Sequence, residues 1–325
     1  MGDCRFCGKP AGFLRKQHGV CADRNERAKE SIKTLCVDAA LRGADLDGLR
    51  PRIRETAAGG FVEISESKMK RTLAAGWRNA VVEAMEDHVL STPEKRGLNR
   101  YRAQFDLAEK QLNRAGHFEL FTKMALLNSL MEHGVIPRTD RRRARTRFGR
   151  LPFNMMKSEG LVWMFNNVGY MQQITRREHR GQSMGMSFRV AKGVYVRPGT
   201  FRGQSVSTTS MEHTDSGVLG VTTKHIYFKG SEKSFRVRLE KIVSFDPYQD
   251  GLGIMRDTAS AKPEIFTMKP TDAWFSINLI EALLDIEDLK PPGPDAVTLD
   301  EIVDEMPDDR EDDAGLFIAG TGASL

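Results

Sequence analysis

No stretch of this sequence comes near the roughly 18 apolar residues that span a bilayer. The densest run, Leu161 to Phe165, is five long. Cysteine is scarce as well: four in 325 residues cannot form a disulfide scaffold, and their spacing suits a reducing compartment. The polar start carries Cys4 and Cys7 and no secretory signal pattern, so a cytoplasmic protein is expected. Also lacking are a Walker A loop, an H-E-x-x-H pair, the kinase motif set and a carboxylate cluster at metal spacing. Gly181-Gln-Ser183-Met-Gly185 matches the nucleophile-elbow pattern, but that turn needs a strand before the serine and a helix after it. Here a charged segment precedes and strand-like Phe188–Val196 follows. A non-enzymatic protein is expected.

What is present is a soluble-type balance, 40% hydrophobic and 29% charged, in a chain long enough for two or three domains. The net charge of +5 hides an asymmetry. Residues 291–325 hold ten acids against one base, Arg310, for a net −9, which leaves +14 on residues 1–290. A basic body with an acidic tail permits an anionic partner, and permits the tail to compete for the same surface.

Along the chain, a polar helical stretch runs from the cysteines to about Arg42, with Ile32, Leu35 and Cys36 on its apolar side. Arg50 to Gly60, with Pro51 and Gly59-Gly60, reads as a break. Met69, Leu73, Trp77, Val81 and Met85 then recur every four residues on one helical face. Ser91-Thr-Pro-Glu94 is a capping-box start, followed by a stripe of Tyr101, Phe105, Ala108 and Leu112. Phe118 to Glu132 is a further helix closed by Gly134 and Pro137, so residues 61–137 read as a small helical domain.

The period changes after Arg150. Asn166-Asn167 reads as a tight hairpin turn between Leu161–Phe165 and Val168–Ile174, because asparagine tolerates positive φ. Short strands follow at 193–197, 217–222, 225–229, 234–240, 251–256 and 264–268, with Phe235, Val237 and Leu239 alternating against charged neighbours. An amphipathic helix over Thr271 to about Glu287 closes this part. The fold class is therefore α+β and multidomain. Its parts are 1–42 (a finger and its helix), 61–137 (helical), 138–150 (Arg-rich linker), 151–288 (β module) and 289–325 (acidic disordered tail, with Leu316-Phe317-Ile318 as a short docking peptide).

Two features carry chemistry. Cys4-x2-Cys7 is followed after ten residues by His18-x2-Cys21. Two thiolates two residues apart reach one ion from a tight turn, Gly8 frees that turn, and the second pair completes a tetrahedral Cys3His set suited to Zn. With all four positions filled by protein the metal is structural. The turn–loop–helix layout resembles a minimal treble-clef zinc finger, and Cys36 reads as a buried helix residue. The second is an arginine run, Arg138, Arg141, Arg142, Arg143, Arg145, Arg147 and Arg150, with Arg176, Arg177, His179 and Arg180 downstream. Guanidinium groups suit phosphate, but Phe148 is the single aromatic nearby, so base stacking is not indicated. The run also reads as a solvated linker or a cradle for the acidic tail.

Asp215-Ser-Gly217-Val-Leu219-Gly-Val-Thr222-Thr-Lys-His-Ile226-Tyr-Phe228, continued by Ser234–Glu240, Lys241–Phe245 and the helix around Trp274, resembles the strand-turn-strand signature of GRAM and bacterial PH-like domains. The resemblance covers about residues 151–288. It implies a split β-barrel capped by a helix, a module that docks lipid head groups, peptides or protein domains. Phosphoinositide-binding members use a basic first hairpin loop, and Asn166-Asn167 is not one, so protein contacts are favoured over lipid. A short zinc finger fused to such a module resembles certain bacterial or phage proteins. The expectation is a zinc-binding adaptor with a protein partner. The alternative is a nucleic-acid-binding regulator using the finger and the arginine run; an anionic membrane ranks last.

Overall fold

The computed structural model describes residues 2–12, 15–86, 90–137, 151–180, 188–191, 194–196, 204–258, 262–286, 292–293 and 296–304, with backbone alone for those within 175–209. The arginine run 138–150 and the peptide 316–318 lie outside the described residues. Contacts divide the chain into two units, Met1–Asp140 with Pro292–Leu325, and Arg141–Pro291.

The first unit is helical. Helix α1 (Gly19–Leu41) packs on α2 (Leu49–Gly59), α3 (Glu66–Ala84) and α4 (Thr92–Gln104), and α3 also packs on α5 (Glu109–Leu112) and α6 (His117–His133). Residues 1–42 and 61–137 thus share one unit, because α1 brings Cys36, Val37, Ala39 and Ala40 into the same core. Glycines allow the close approach: a Cβ at Gly76 would stand 2.2 Å from Cys36 Cβ, and one at Gly97 would stand 2.2 Å from the Ala40 carbonyl oxygen. Trp77 is buried, its indole Nε1 donating to the Leu98 carbonyl at 3.0 Å and its ring edge-on to Phe121 at 5.3 Å. The Ser91–Glu94 capping box forms as its sequence indicates.

Three expectations are corrected here. Residues 50–60 are not a break but α2: Pro51 sits in the first turn, where its missing N–H costs no intrahelical bond, and Leu49, Ile53 and Ala57 bury one face. The Tyr101–Leu112 stripe is not one helix. It bends at Asp106, which adopts φ 47°, so Leu107 is buried and Ala108 exposed. The segment 289–325 is not wholly a disordered tail, since Leu299–Asp304 forms a short helix, α8, that packs on α6.

The second unit is a seven-stranded antiparallel sheet in the order β6-β5-β4-β1-β9-β8-β7, formed by β1 (Leu161–Arg180), β4 (Gln204–Thr222), β5 (His225–Gly230), β6 (Ser234–Arg238), β7 (Ile242–Tyr248), β8 (Gly251–Arg256) and β9 (Glu264–Thr267). A separate two-stranded piece pairs β2 (Phe188–Ala191) with β3 (Val194–Val196). One meander therefore runs outward from β1, the other returns from the far edge, and β1 and β9 join them. Helix α7 (Pro270–Asp285) follows β9 at once and packs on β7 and β8. Its Phe275 is buried with its ring 5.0 Å from Trp163 and 5.9 Å from Phe165. A further aromatic cluster, Tyr170, Phe228, Phe235 and Phe266, fills the sheet's inner face.

No hairpin forms at Asn166-Asn167. Strand β1 runs straight through, paired with β4, and the two asparagines sit exposed at a register shift between Phe165 and Val168, with Asn167 at φ 56°. The residue preference was right and its use wrong: positive φ serves a bulge as well as a turn. Beyond Gln172, the last residue paired with β9, β1 stays paired with β4 for eight residues to Arg180, a two-stranded ribbon of about 26 Å.

Candidate metal centre

Residues 2–12 and 15–18 form a knuckle. Asp3 and Pro10 form an antiparallel bridge, the Cys4 amide donates to the Lys9 carbonyl at 2.7 Å, and the Gly8 amide returns to the Cys4 carbonyl at 2.9 Å. Gly8 takes φ 69°, the left-handed conformation that closes this turn without a Cβ penalty. Arg5 N–H bonds the Lys16 carbonyl at 3.0 Å, which brings the chain back to the knuckle just before α1. His18 is the N-cap of α1 and Cys21 lies in its first turn.

The four ligand atoms of Cys4, Cys7, His18 and Cys21 all lie within 4.8 Å of one another, and the described residues hold this one such cluster. His18 Nδ1 is 3.4 Å from Cys7 Sγ and 3.7 Å from Cys21 Sγ. Metal bonds of about 2.3 Å to sulfur and about 2.0–2.1 Å to nitrogen, at a tetrahedral angle, put the S···N edge at about 3.6 Å. These two S···N edges therefore suit a tetrahedral ion of that size. The imidazole is also oriented for ligation. Its Nε2 lies 2.9 Å from the Pro10 carbonyl, an acceptor, so Nε2 carries the proton and Nδ1 presents its lone pair to the sulfurs. The Pro10 carbonyl was not identifiable from residue spacing, because a backbone acceptor leaves no mark on the sequence.

The electrostatics separate the ligands into one acidic thiol and two groups held toward their protonated forms. Burial opposes ionisation of Cys4, but the amides of Cys7, His18 and Phe6 outweigh it and bring the thiol down to about 6. Burial, then the neighbouring Cys7 and Cys4 sulfurs, push Cys21 up to about 11. The Pro10 carbonyl and then Cys7 raise His18. Crowding sets the last thiol against ionisation, and a dication at the centre supplies the charge that would deprotonate it. Cys36 stands apart: it is fully buried on α1 against Gly76 of α3, and burial raises its thiol.

The β unit holds a second polar cluster that sequence reading missed. Glu159, its side chain wholly buried, accepts from the Thr222 hydroxyl at 2.8 Å, the Met156 amide at 2.7 Å and the Tyr227 hydroxyl, and pairs with His225 Nδ1 at 2.8 Å. Every lone pair is used, so the cluster is a structural pin. Burial would raise the Glu159 carboxyl, but these hydrogen bonds, Tyr227 first, hold it below its ordinary range. A depressed folded value gives stability that is present above the unfolded pKa and lost as pH falls through the folded one. Acid titration of the β unit is therefore expected to show a loss of stability beginning below about pH 4.3. Glu159→Gln should flatten that profile and cost about 1–3 kcal/mol at pH 7. A variant with the wild-type acid profile in chemical denaturation would exclude Glu159 as its source.

Asp215, from the GRAM-like signature, is structural too. Burial opposes its charge, but it accepts from the amides of Lys233 at 2.6 Å and Glu232 at 2.8 Å and from the Ser231 hydroxyl at 2.9 Å, which holds its carboxyl far below the usual range. It ties β4 to the β5–β6 turn. The candidate anion-binding residues Arg138, Arg141, Arg142, Arg143, Arg145, Arg147 and Arg150 lie outside the described residues. No described helix is long and apolar enough to cross a membrane.

No family model and no curated protein matches the chain. A solved complex of the PDZ-RhoGEF DH/PH domains with GTP-γ-S-activated RhoA overlaps 82% of this chain and 73% of that one. The overlap is at 9% identity and a TM-score of 0.22, too loose a likeness to carry an argument.

Proposed function

We propose that the chain is a non-enzymatic docking protein in which a structural zinc centre anchors the helical unit and a PH/GRAM-like module supplies the docking surface. The observation that carries this is topological. Seven antiparallel strands in two joined meanders, with a helix directly after the last strand, support the helix-capped β module that the GRAM/PH resemblance implies. The Cys3His donor set leaves no coordination position for a substrate, which supports a structural role for zinc. The GRAM-like residues Asp215 and Thr222 are spent on internal hydrogen bonds, which supports a scaffold role for the signature itself.

One observation favours the nucleic-acid alternative. The β1–β4 ribbon replaces the expected uncharged first turn, and residues 175–203, from its outer end into the connection, hold seven bases against the single acid Glu178. Host extract passed over the immobilised full chain separates the readings. A protein retained at 1 M salt after nuclease treatment, and cross-linked to residues 151–288, supports docking. Retention that vanishes with nuclease, or above about 0.2 M salt, transfers the assignment to a polyanion.

A further inference from the structure

Helix α8 is six residues long, well under the 12–15 that an isolated helix needs to be even marginally stable in water. It holds its shape by contact. Leu299, Ile302 and Val303, at i, i+3 and i+4, are 6%, 5% and 2% exposed, and the helix packs on α6. Thr298 caps it reciprocally with Glu301: the Thr298 amide donates to the Glu301 carboxylate at 2.6 Å, and the Glu301 amide to the Thr298 hydroxyl at 3.2 Å. Its remaining residues, Asp300, Glu301 and Asp304, are acidic. Helix α6 is the most deeply enclosed helix of the unit, with the run Phe118 and Phe121–Leu130 buried, and α8 covers part of it from the far end of the sequence. The segment joining α8 to the β unit contains Pro291, Pro292 and Pro294.

We propose that the surface of α6 under α8 is a regulated helix-receiving site: α8 is its internal ligand, and a short acidic amphipathic helix on a protein partner takes its place. The resident helix defines what the site accepts, three apolar side chains at i, i+3 and i+4 with acids on the other positions. This is a helix-in-groove mode of recognition. Because the internal ligand is tethered, it acts at an effective concentration on the order of 1 mM, which closes the site to weak competitors and leaves it open to a longer helix that makes more contacts. The inference concerns the helical unit and stands independently of what the β unit docks.

The probe is a fluorescein-labelled peptide of residues 295–306, stapled between positions 300 and 304 to hold it helical. Its anisotropy is titrated with three proteins: the full chain, a chain ending at residue 291, and the full chain carrying Ile302→Asp and Val303→Asp. The expected result is at least tenfold tighter binding to the two opened chains than to the full chain. A peptide carrying the same two aspartates should bind none of them. Equal affinity for all three proteins, or no binding to either opened chain, overturns the proposal. So does loss of the cooperative helical melt in both opened chains, which would make α8 a permanent part of the core.

Discussion

Stripping zinc from the purified chain with a strong chelator is expected to unfold residues 2–18 and the first turn of α1, and to leave the rest of α1 in place. A metal held by Cys4, Cys7, His18 and Cys21 would be the dominant stabiliser of that segment. Ordering costs about 1–2 kcal/mol per residue in backbone entropy. Against this, Cys4 and Ala11 are the buried apolar residues that the segment offers among those described. Structural zinc in finger peptides contributes about 10–16 kcal/mol of apparent binding free energy at neutral pH, which is folding free energy where no preformed site exists. The far end of α1 is held differently, by Cys36, Val37, Ala39 and Ala40 packed among helices. Amide exchange should therefore accelerate over residues 2–22 on chelation and stay slow over 34–41. One zinc per chain under reducing conditions, lost in Cys7→Ser, is the matching metal analysis. A zinc content unchanged by that substitution would remove the assignment, and unfolding of the whole helical unit would show that the knuckle is part of its core.

The second large effect falls on the closing helix of the β unit. Phe275 is the residue that fastens α7 to the sheet, between Trp163 and Phe165, whereas Trp274 beside it is only half-buried. Phe275→Ala is expected to cost about 3–5 kcal/mol, by lost transfer energy and by the cavity left against two fixed aromatics. Trp274→Ala should cost clearly less, and the reverse order in denaturant unfolding would contradict this packing. Residues 151–288 expressed alone should show one cooperative transition. The same fragment cut before Pro270 should lose it, since Ala273, Leu279, Ile280 and Leu283 leave the sheet with Phe275.

Which parts could be read from residues alone follows from how local their causes are. The Cys4, Cys7, His18 and Cys21 cluster was legible because two side chains that reach one point from a single tight turn or first helical turn are separated by two residues. The Ser91 cap and the α7 stripe were legible for a similar reason, each being decided within one or two turns. Helix α2 was not, because Pro51 signals a break unless it is known to lie in a first turn. The asparagine pair misled because a positive-φ residue marks both a bulge and a hairpin; only the register with β4, some 50 residues away, decides between them. Helix α8 was hidden by composition. Averaged over 35 residues the segment is acidic, and three apolar residues with helical spacing do not lift that average.

The helical unit is discontinuous in sequence, and this sets the order of events during synthesis. Its first part ends at Asp140 and its last part begins at Pro292. Roughly 160 residues separate Asp140 from the start of α8, and at about 5–20 residues per second a ribosome needs about 8–30 s to make them. For that interval α6 is complete and the strand-rich unit is still emerging, while the helix that covers α6 does not yet exist. The newborn chain therefore passes through a stage in which an apolar surface made early waits for a cover made last. On polysomes, many copies are at that stage together.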